Sequence, residues 1–443
     1  MFVQYVARGL VFASLFSGAS IVVAEQDSAD IPATVTPSEP ESAQKQVLSL
    51  EQAVDIARSR SALVQSLAAQ STAAQSLARS ANALPDPVLS VGVNNWPISG
   101  AARFKLDEQL PTAVAVGVSR KLTRRDKLDA RSQQFESQAA LADAESALAL
   151  AQLSRKTAVA WLDRAITRKL RELTIARLEE NQRLLASAEA AFRSGRDAQT
   201  SVFDARLAIE RTRDRLDEVD RELAIATVSL KRWIGAAAEH EPDQLPAFIW
   251  QAPETGAELA HPELALAQAR IDLNQAKARV AETAQRADWT VGMSYGRRGA
   301  IFGDAISVRV SIPWQLNRQS VQTEQWIASR ERVNASELMR EELRRNEAKR
   351  IDALTASLQF LNKRIARYQF RMLPIAQQRA EAALAAYGGG SGSLGSVLMA
   401  RRAQVDLQLE EIALERRAAS VWAELTYLES PGKASSPEQE SMK

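Results

Sequence analysis

Two histidines and no cysteine leave this chain little with which to hold a transition metal. His240 and His261 fall in or beside one Pro-containing segment, and neither has a second ligand at a metal-binding spacing. No nucleophile beside a base, no phosphate loop and no working pair of carboxylates stands out. The expectation is therefore no catalytic residue, no metal site and no cofactor. What remains are charges suited to positioning and to electrostatics. Asp197 and Asp204 follow a lone glycine, Gly195. Arg120, Lys121, Arg124, Arg125 and Lys127 form a basic run, and Arg297, Arg298 and Arg309 interrupt otherwise uncharged segments.

The composition narrows what such charges could serve. Charged residues make up 25% of 443 residues, yet the formal net charge is only +2. A nucleic-acid partner would call for a strongly basic face, so none is expected. Aromatics are only 5%, which favours an elongated helical chain with Ala and Leu in helix seams over a large globular enzyme core. The absence of cysteine excludes disulfides, thiolate sites and a lipidated N-terminal Cys. At the start, "MFVQYVARGLVFASLFSGASIVVAEQ" carries Arg8 before an apolar run, then small residues with Val22 and Ala24 placed for cleavage. Residues 1–24 therefore read as a secretory signal peptide, since the run is shorter than the roughly 20 residues of a membrane span. Residues 25–46, acidic and holding Pro32, Pro37 and Pro40, read as a disordered leader.

The elements that must position the remaining charges come in two copies. Residues 47–234 form the first repeat, 235–260 a linker, 261–429 the second repeat, and 430–443 a disordered tail. Ser49 with Gln52 forms a capping-box signature that opens a helix running to about Ala83. Each repeat then reads as two strands, a very long helix, a Gly-containing turn and a returning helix. "DPVLSVGV" aligns with "DWTVGMSY", "AVAVGVSRKL" with "AISVRVSIPW", and "AFRSGRDAQTSVFDAR" with "AYGGGSGSLGSVLMAR" without a gap. That serial order makes the internal repeat a strong signal.

The strands, at about 87–96, 112–122, 288–296 and 304–314, obey one rule with a period of two. One face carries Leu89, Val91 and Val93; Val114, Val116 and Val118; Trp289, Val291, Met293 and Tyr295; and Ile306, Val308, Val310 and Ile312. The opposite face is small or polar, with Ser90, Asn94, Ser307 and Arg309. Strand length suits a membrane span of about 9–11 residues. Trp96, Trp289, Tyr295 and Trp314 sit near strand ends, where aromatic girdles sit. The apolar face is therefore expected in lipid, and the small face, with Arg309 and either Arg297 or Arg298, on a pore. An Arg at Val116 or Val308 should then cost far more than one at Gly117 or Ser307. Four strands cannot close a barrel, and lipid forbids open edges. A homotrimer is expected, closing a 12-stranded β-barrel below which the long helices form an α-helical tunnel of antiparallel pairs.

Taken together, these features resemble the outer-membrane efflux protein (TolC) family over essentially the whole mature chain. The segment "ALPDPVLSVGVNNWPISGAARFKLDEQLPTAVAVGVSRKLTRRDKLDAR" is most similar to its heavy-metal (CzcC-like) branch. The resemblance implies a passive trimeric duct in the outer membrane, with its tunnel in the periplasm, a periplasmic adaptor protein and an inner-membrane RND-type pump as partners. Heavy-metal cations are the implied cargo; multidrug efflux or type I protein secretion would use the same fold. It further implies that the helical tips contact the adaptor and gate the tunnel, at positions matching Phe192, Gly195, Arg196, Tyr387, Gly390, Gly392 and Leu394. Acidic residues common in the family after the second turn are missing, since Gly395, Ser396 and Met399 stand there. Asp197 and Asp204 are the candidate substitutes. The basic run at 120–127 is expected at lipid headgroups or as a solvated helix start. A periplasmic coiled-coil adaptor is the competing reading from a different class, but it would have one helical hairpin and not two. An exported enzyme lacks any supporting constellation.

Overall fold

A computed structural model describes residues 47–100, 103–104, 112–243, 245, 261–298 and 303–428. The expected signal peptide, leader, C-terminal tail and most of the 235–260 linker lie outside the described residues, as do parts of two strand-connecting loops.

The chain opens with a short strand, β1 (Val47–Leu48), and helix α1 (Leu50–Arg60). Ser49 and Gln52 form the reciprocal cap, Gln52 N–H to Ser49 Oγ at 3.2 Å and Ser49 N–H to Gln52 Oε1 at 3.1 Å. The single helix expected to Ala83 is in fact two. Ser61 takes an extended backbone and caps α2 (Ala62–Ala81) by accepting from Val64 N–H. Strands β2 (Val88–Asn94) and β3 (Ala113–Leu122) follow, then α3 (Arg125–Arg193), 69 residues without a break, and its return α4 (Gln199–Ile234). A two-residue strand, β4 (Glu241–Pro242), pairs in parallel with β1.

The second copy runs α5 (Pro262–Ala284), β5 (Trp289–Arg298), β6 (Ala305–Ser311), α6 (Glu324–Arg367), α7 (Leu373–Gly388) and α8 (Leu394–Thr426). Its long helix is not regular like α3. Wider π turns occupy Gln319–Thr323 before α6 and Tyr368–Met372 between α6 and α7. The second ends two residues before Pro374, which has no N–H to give to the ordinary α-helical ladder.

Helix α3 is the centre of the helical layer and packs on α1, α2, α4, α5 and α8. The main core gathers Trp161, Leu162, Ile166 and Leu170 of α3, Leu230 and Ile234 of α4, Leu358 and Ile365 of α6, and Ile412 and Trp422 of α8. Each such side chain contributes about 1.5–3 kcal/mol by leaving water. Trp161 Nε1 also donates to the Leu48 carbonyl at 3.1 Å, fastening β1 to this core. Among the described residues no helix is long and apolar enough to cross a membrane.

The four long strands form one antiparallel sheet in the order β2-β3-β5-β6. The hairpins of the two repeats share one register. Val91 faces Val116 in the first, and their repeat equivalents, Met293 and Val308, face each other in the second. Among the described residues, the outer edges of β2 and β6 have no strand beside them.

Candidate membrane sheet and helical tips

In a water-soluble sheet the large apolar residues would be covered. Here they are the exposed ones. Cross-strand rows such as Leu89–Val118–Met293–Val308 and Val91–Val116–Tyr295–Ile306 run across all four strands. Leu89 and Val91 are 72% exposed and Ile306 and Val308 70%. Val93, Val114, Trp289, Val291 and Val310 are exposed as well, and so is Ile312, one residue beyond the end of β6. A continuous apolar face of this extent with no helix over it marks an interaction surface for lipid or protein.

The opposite face is concave. Paired Cβ atoms across antiparallel strands normally stand about 4.5–5.5 Å apart. A Cβ built on Gly117 would lie 2.9 Å from Ser294 Cβ and 3.1 Å from Ser90 Oγ. One on Gly292 would lie 3.1 Å from Ser119 Cβ. The sheet therefore curls toward its small residues, and Gly117 cannot carry the arginine that a simple lumen position would tolerate. Ser90, Asn94, Ser307 and Arg309 share this concave side by strand alternation. So does Arg298, beside Ala113, whereas Arg297 pairs with Val114 on the apolar side. This alternation decides between the two arginines that the sequence left open.

The basic run after β3 has protein partners. Lys127 is buried and its Nζ lies 3.1 Å from Asp288 Oδ1; Lys121 Nζ lies 3.1 Å from Asp288 Oδ2. Lys127 also donates to the Arg286 carbonyl. Arg120 donates to the Pro85 carbonyl, Arg124 pairs with Asp126 and Arg125 with Asp129. Lys121 and Lys127 tie one repeat to the other through Asp288, while Arg124, half-buried, and Arg125, exposed, pair with acids of their own helix, as a solvated helix start would. Asp288, not singled out from the sequence, is the hub. Its signal was available: a lone acid entering β5 in a chain with an unmatched basic run leaving β3.

At the far end of the helices, both turns solve the same problem identically. Gly195 has φ +68° and Gly390 φ +77°, a region that side chains disfavour. Gly195 N–H bonds Phe192 O and Arg196 N–H bonds Ala191 O; Gly390 N–H bonds Tyr387 O and Ser391 N–H bonds Ala386 O. Each is a Schellman termination, with the glycine at the left-handed position. The two tips then pack together through Leu184, Ala188, Val202, Ala205, Leu394 and Val397. Leu394, expected as a contact residue, is fully enclosed in that cluster. Gly392 abuts Ala386 and the Tyr387 backbone, so that a Cβ there would stand only 3.1 Å from both. Phe192 is exposed, and Arg196 donates to Ser194 Oγ.

Asp197 works within the protomer. Its Oδ1 accepts from Ala198 N–H and Ser201 Oγ, both at 2.8 Å, and its Oδ2 accepts from Tyr387 Oη at 3.0 Å. Burial pushes its pKa up, but the bonds from Ser201, Ala198 and Tyr387 outweigh this and hold it below the usual carboxylate value. Burial and then the Asp197 carboxylate raise the Tyr387 phenol. The pair braces the first tip to the second. Asp204 is exposed in the second turn of α4, on the wall of a cavity of about 510 Å³ between the hairpins that Arg401 and Met399 also line. Arg401 reaches across to Glu180 of α3 at 2.8 Å.

No family model matches the chain, and no curated protein does. Solved structures do. The chain superposes on CusC, described in terms of folding and transmembrane channel formation, with a TM-score of 0.70 and 17% identity over 86% of this chain and 92% of that one. The outer membrane protein VceC of Vibrio cholerae gives 0.69 and 19%, covering 86% and 95%. The outer membrane channel CmeC of Campylobacter jejuni gives 0.67 and 11%, covering 87% of each. With exposed apolar strands, a concave small face and paired helical tips, this chain has the fold of outer-membrane channel subunits.

Proposed function

We propose that three copies of this chain form the passive outer-membrane duct of an efflux machine. Twelve strands close the barrel, the helical hairpins form the periplasmic tunnel, and the tips dock on an adaptor that joins the duct to an inner-membrane RND-type pump. The observation that carries the reading is the inverted sheet: large apolar residues outward and uncovered, small residues inward, and both edges unpaired among the described residues. An open edge is untenable in lipid, and closure on further copies removes it. Heavy-metal cations are the proposed cargo, on the strength of the "LPDP" segment and its basic exit. The signal sequence is consistent with export of the chain.

The repeat specifies how one copy would meet the next. Within the chain, Val116 of β3 pairs with Tyr295 of β5. Their equivalents in the other repeat are Val308 of β6 and Val93 of β2, which would then face each other across the boundary between copies. The chain has no cysteine, so V93C/V308C introduces the only thiols. Mild oxidation of outer-membrane preparations should give a covalent ladder ending at the trimer, while V93C or V308C alone should give none. The same strain, otherwise lacking the gene, should resist the exported metal. A monomer by mass in detergent, with no ladder, would remove the reading.

A further inference from the structure

We infer that Arg309 forms an anion-preferring collar inside the barrel; this rests on the duct reading and specifies what that duct admits. Arg309 lies on the concave face, in a row with Ser119 and Gly292. Its repeat equivalent is Gly117, where a Cβ would collide with Ser294 and crowd Ser90. The second repeat reverses the arrangement. Opposite Arg309 stands Gly292, and under the repeat the neighbouring copy would set Gly92 on its other side. Nothing lies within 4 Å of a Cβ built on Gly92. A long side chain thus stands at the one position of its row where both cross-strand neighbours lack a Cβ.

The charge balance on this face points one way. The strand residues of the concave side include Lys121, Arg298 and Arg309 but no Asp or Glu. Lys121 is held by Asp288, which also holds Lys127, so even this junction sums to a positive group. Arg298 donates to the Gly303 carbonyl. Arg309 is exposed and makes no hydrogen bond or ion pair with the described residues. Three guanidiniums, one per copy, would face one lumen walled by low-dielectric protein, where a fixed charge of one sign concentrates its counter-ions. The ligand class is small anions, including anionic metal complexes. A bare metal cation would cross this collar only with its counter-ions.

Reversal potentials in planar bilayers under a KCl gradient test this. The trimer should prefer chloride over potassium, most clearly at low salt, where screening reaches only beyond about 30 Å at 0.01 M. R309Q should lower the chloride-to-potassium ratio, and R309E should lower it by roughly threefold or more, the effect of a potential change of about half a kT acting oppositely on the two ions. R297Q, on the apolar face, should leave the ratio unchanged. Potassium preference in the parent channel, or a ratio unmoved by R309E, would overturn the collar while the duct stands. A trimer that conducts nothing would overturn the duct and the collar with it.

Discussion

Trp161 in the helical core and Val308 in the sheet are both large and apolar, yet the first is 1% exposed and the second 70%. Around Trp161 the helices turn their apolar stripes inward, and charges such as Arg416 and Lys169 pair at the margin. In the sheet no such apolar interior forms: the concave side is small and polar and the uncovered outer side is Val, Ile, Met and Tyr. On the proposed duct reading, the difference lies in the solvent each region is built for. Water drives apolar groups together, and lipid does not. One chain thus carries two opposite folding codes, joined at the Lys127–Asp288 seam.

The largest effect should come from the water-type region. Trp161→Ala removes a fully buried ring and its bond to Leu48, and should cost about 3–5 kcal/mol. The loss would be read as a fall in the thermal midpoint of helical circular dichroism in detergent, and an unchanged midpoint would erase the contrast. Next comes the lipid-type region. Val308→Arg should cost about 2–4 kcal/mol near the bilayer centre, whereas Ser307→Arg, on the concave face, should cost much less. Trimer survival on unboiled gels compares the two, and equal damage would show that both faces meet the same medium. Gly117 cannot serve as the concave-side control, since its neighbours leave no room.

The smallest effect belongs to the tips, where neither code applies. Both turn glycines have open space around them, so Gly195→Val or Gly390→Val meets backbone strain alone, about 1–2 kcal/mol. Assembly and membrane insertion should persist while export fails. Normal export by both variants would withdraw adaptor docking from the tips.

The sequence makes periodic features legible and conceals compensated ones. Strand faces follow from alternation, and the tip glycines from two long helices that must reverse. The break at Ser61 is hidden because a serine inside an Ala-rich run is compatible with both helix and cap. The π turn at Tyr368–Met372 leaves only Pro374 as a trace. The link from Lys121 and Lys127 is hidden because their partner acid, Asp288, lies in the other repeat. Asp197 is legible as an acid beside the first tip, but its bond from Tyr387 is not, because the two are remote in sequence. Curvature was the least visible property: Gly117 and Gly92 are the same residue type on the same face, yet only one is crowded.

The uncovered sheet also bears on how the protein comes into being. A finished four-stranded sheet with an apolar face and two bare edges would adhere to any strand it met in water. On the duct reading, sheet and barrel are then completed together, at the membrane, when copies are close enough to share edges. In that scheme the folding of one chain is not a first-order event. Its yield would climb more steeply than the supply of chains, and below a threshold supply the helical part would wait, folded, for strands it cannot yet close.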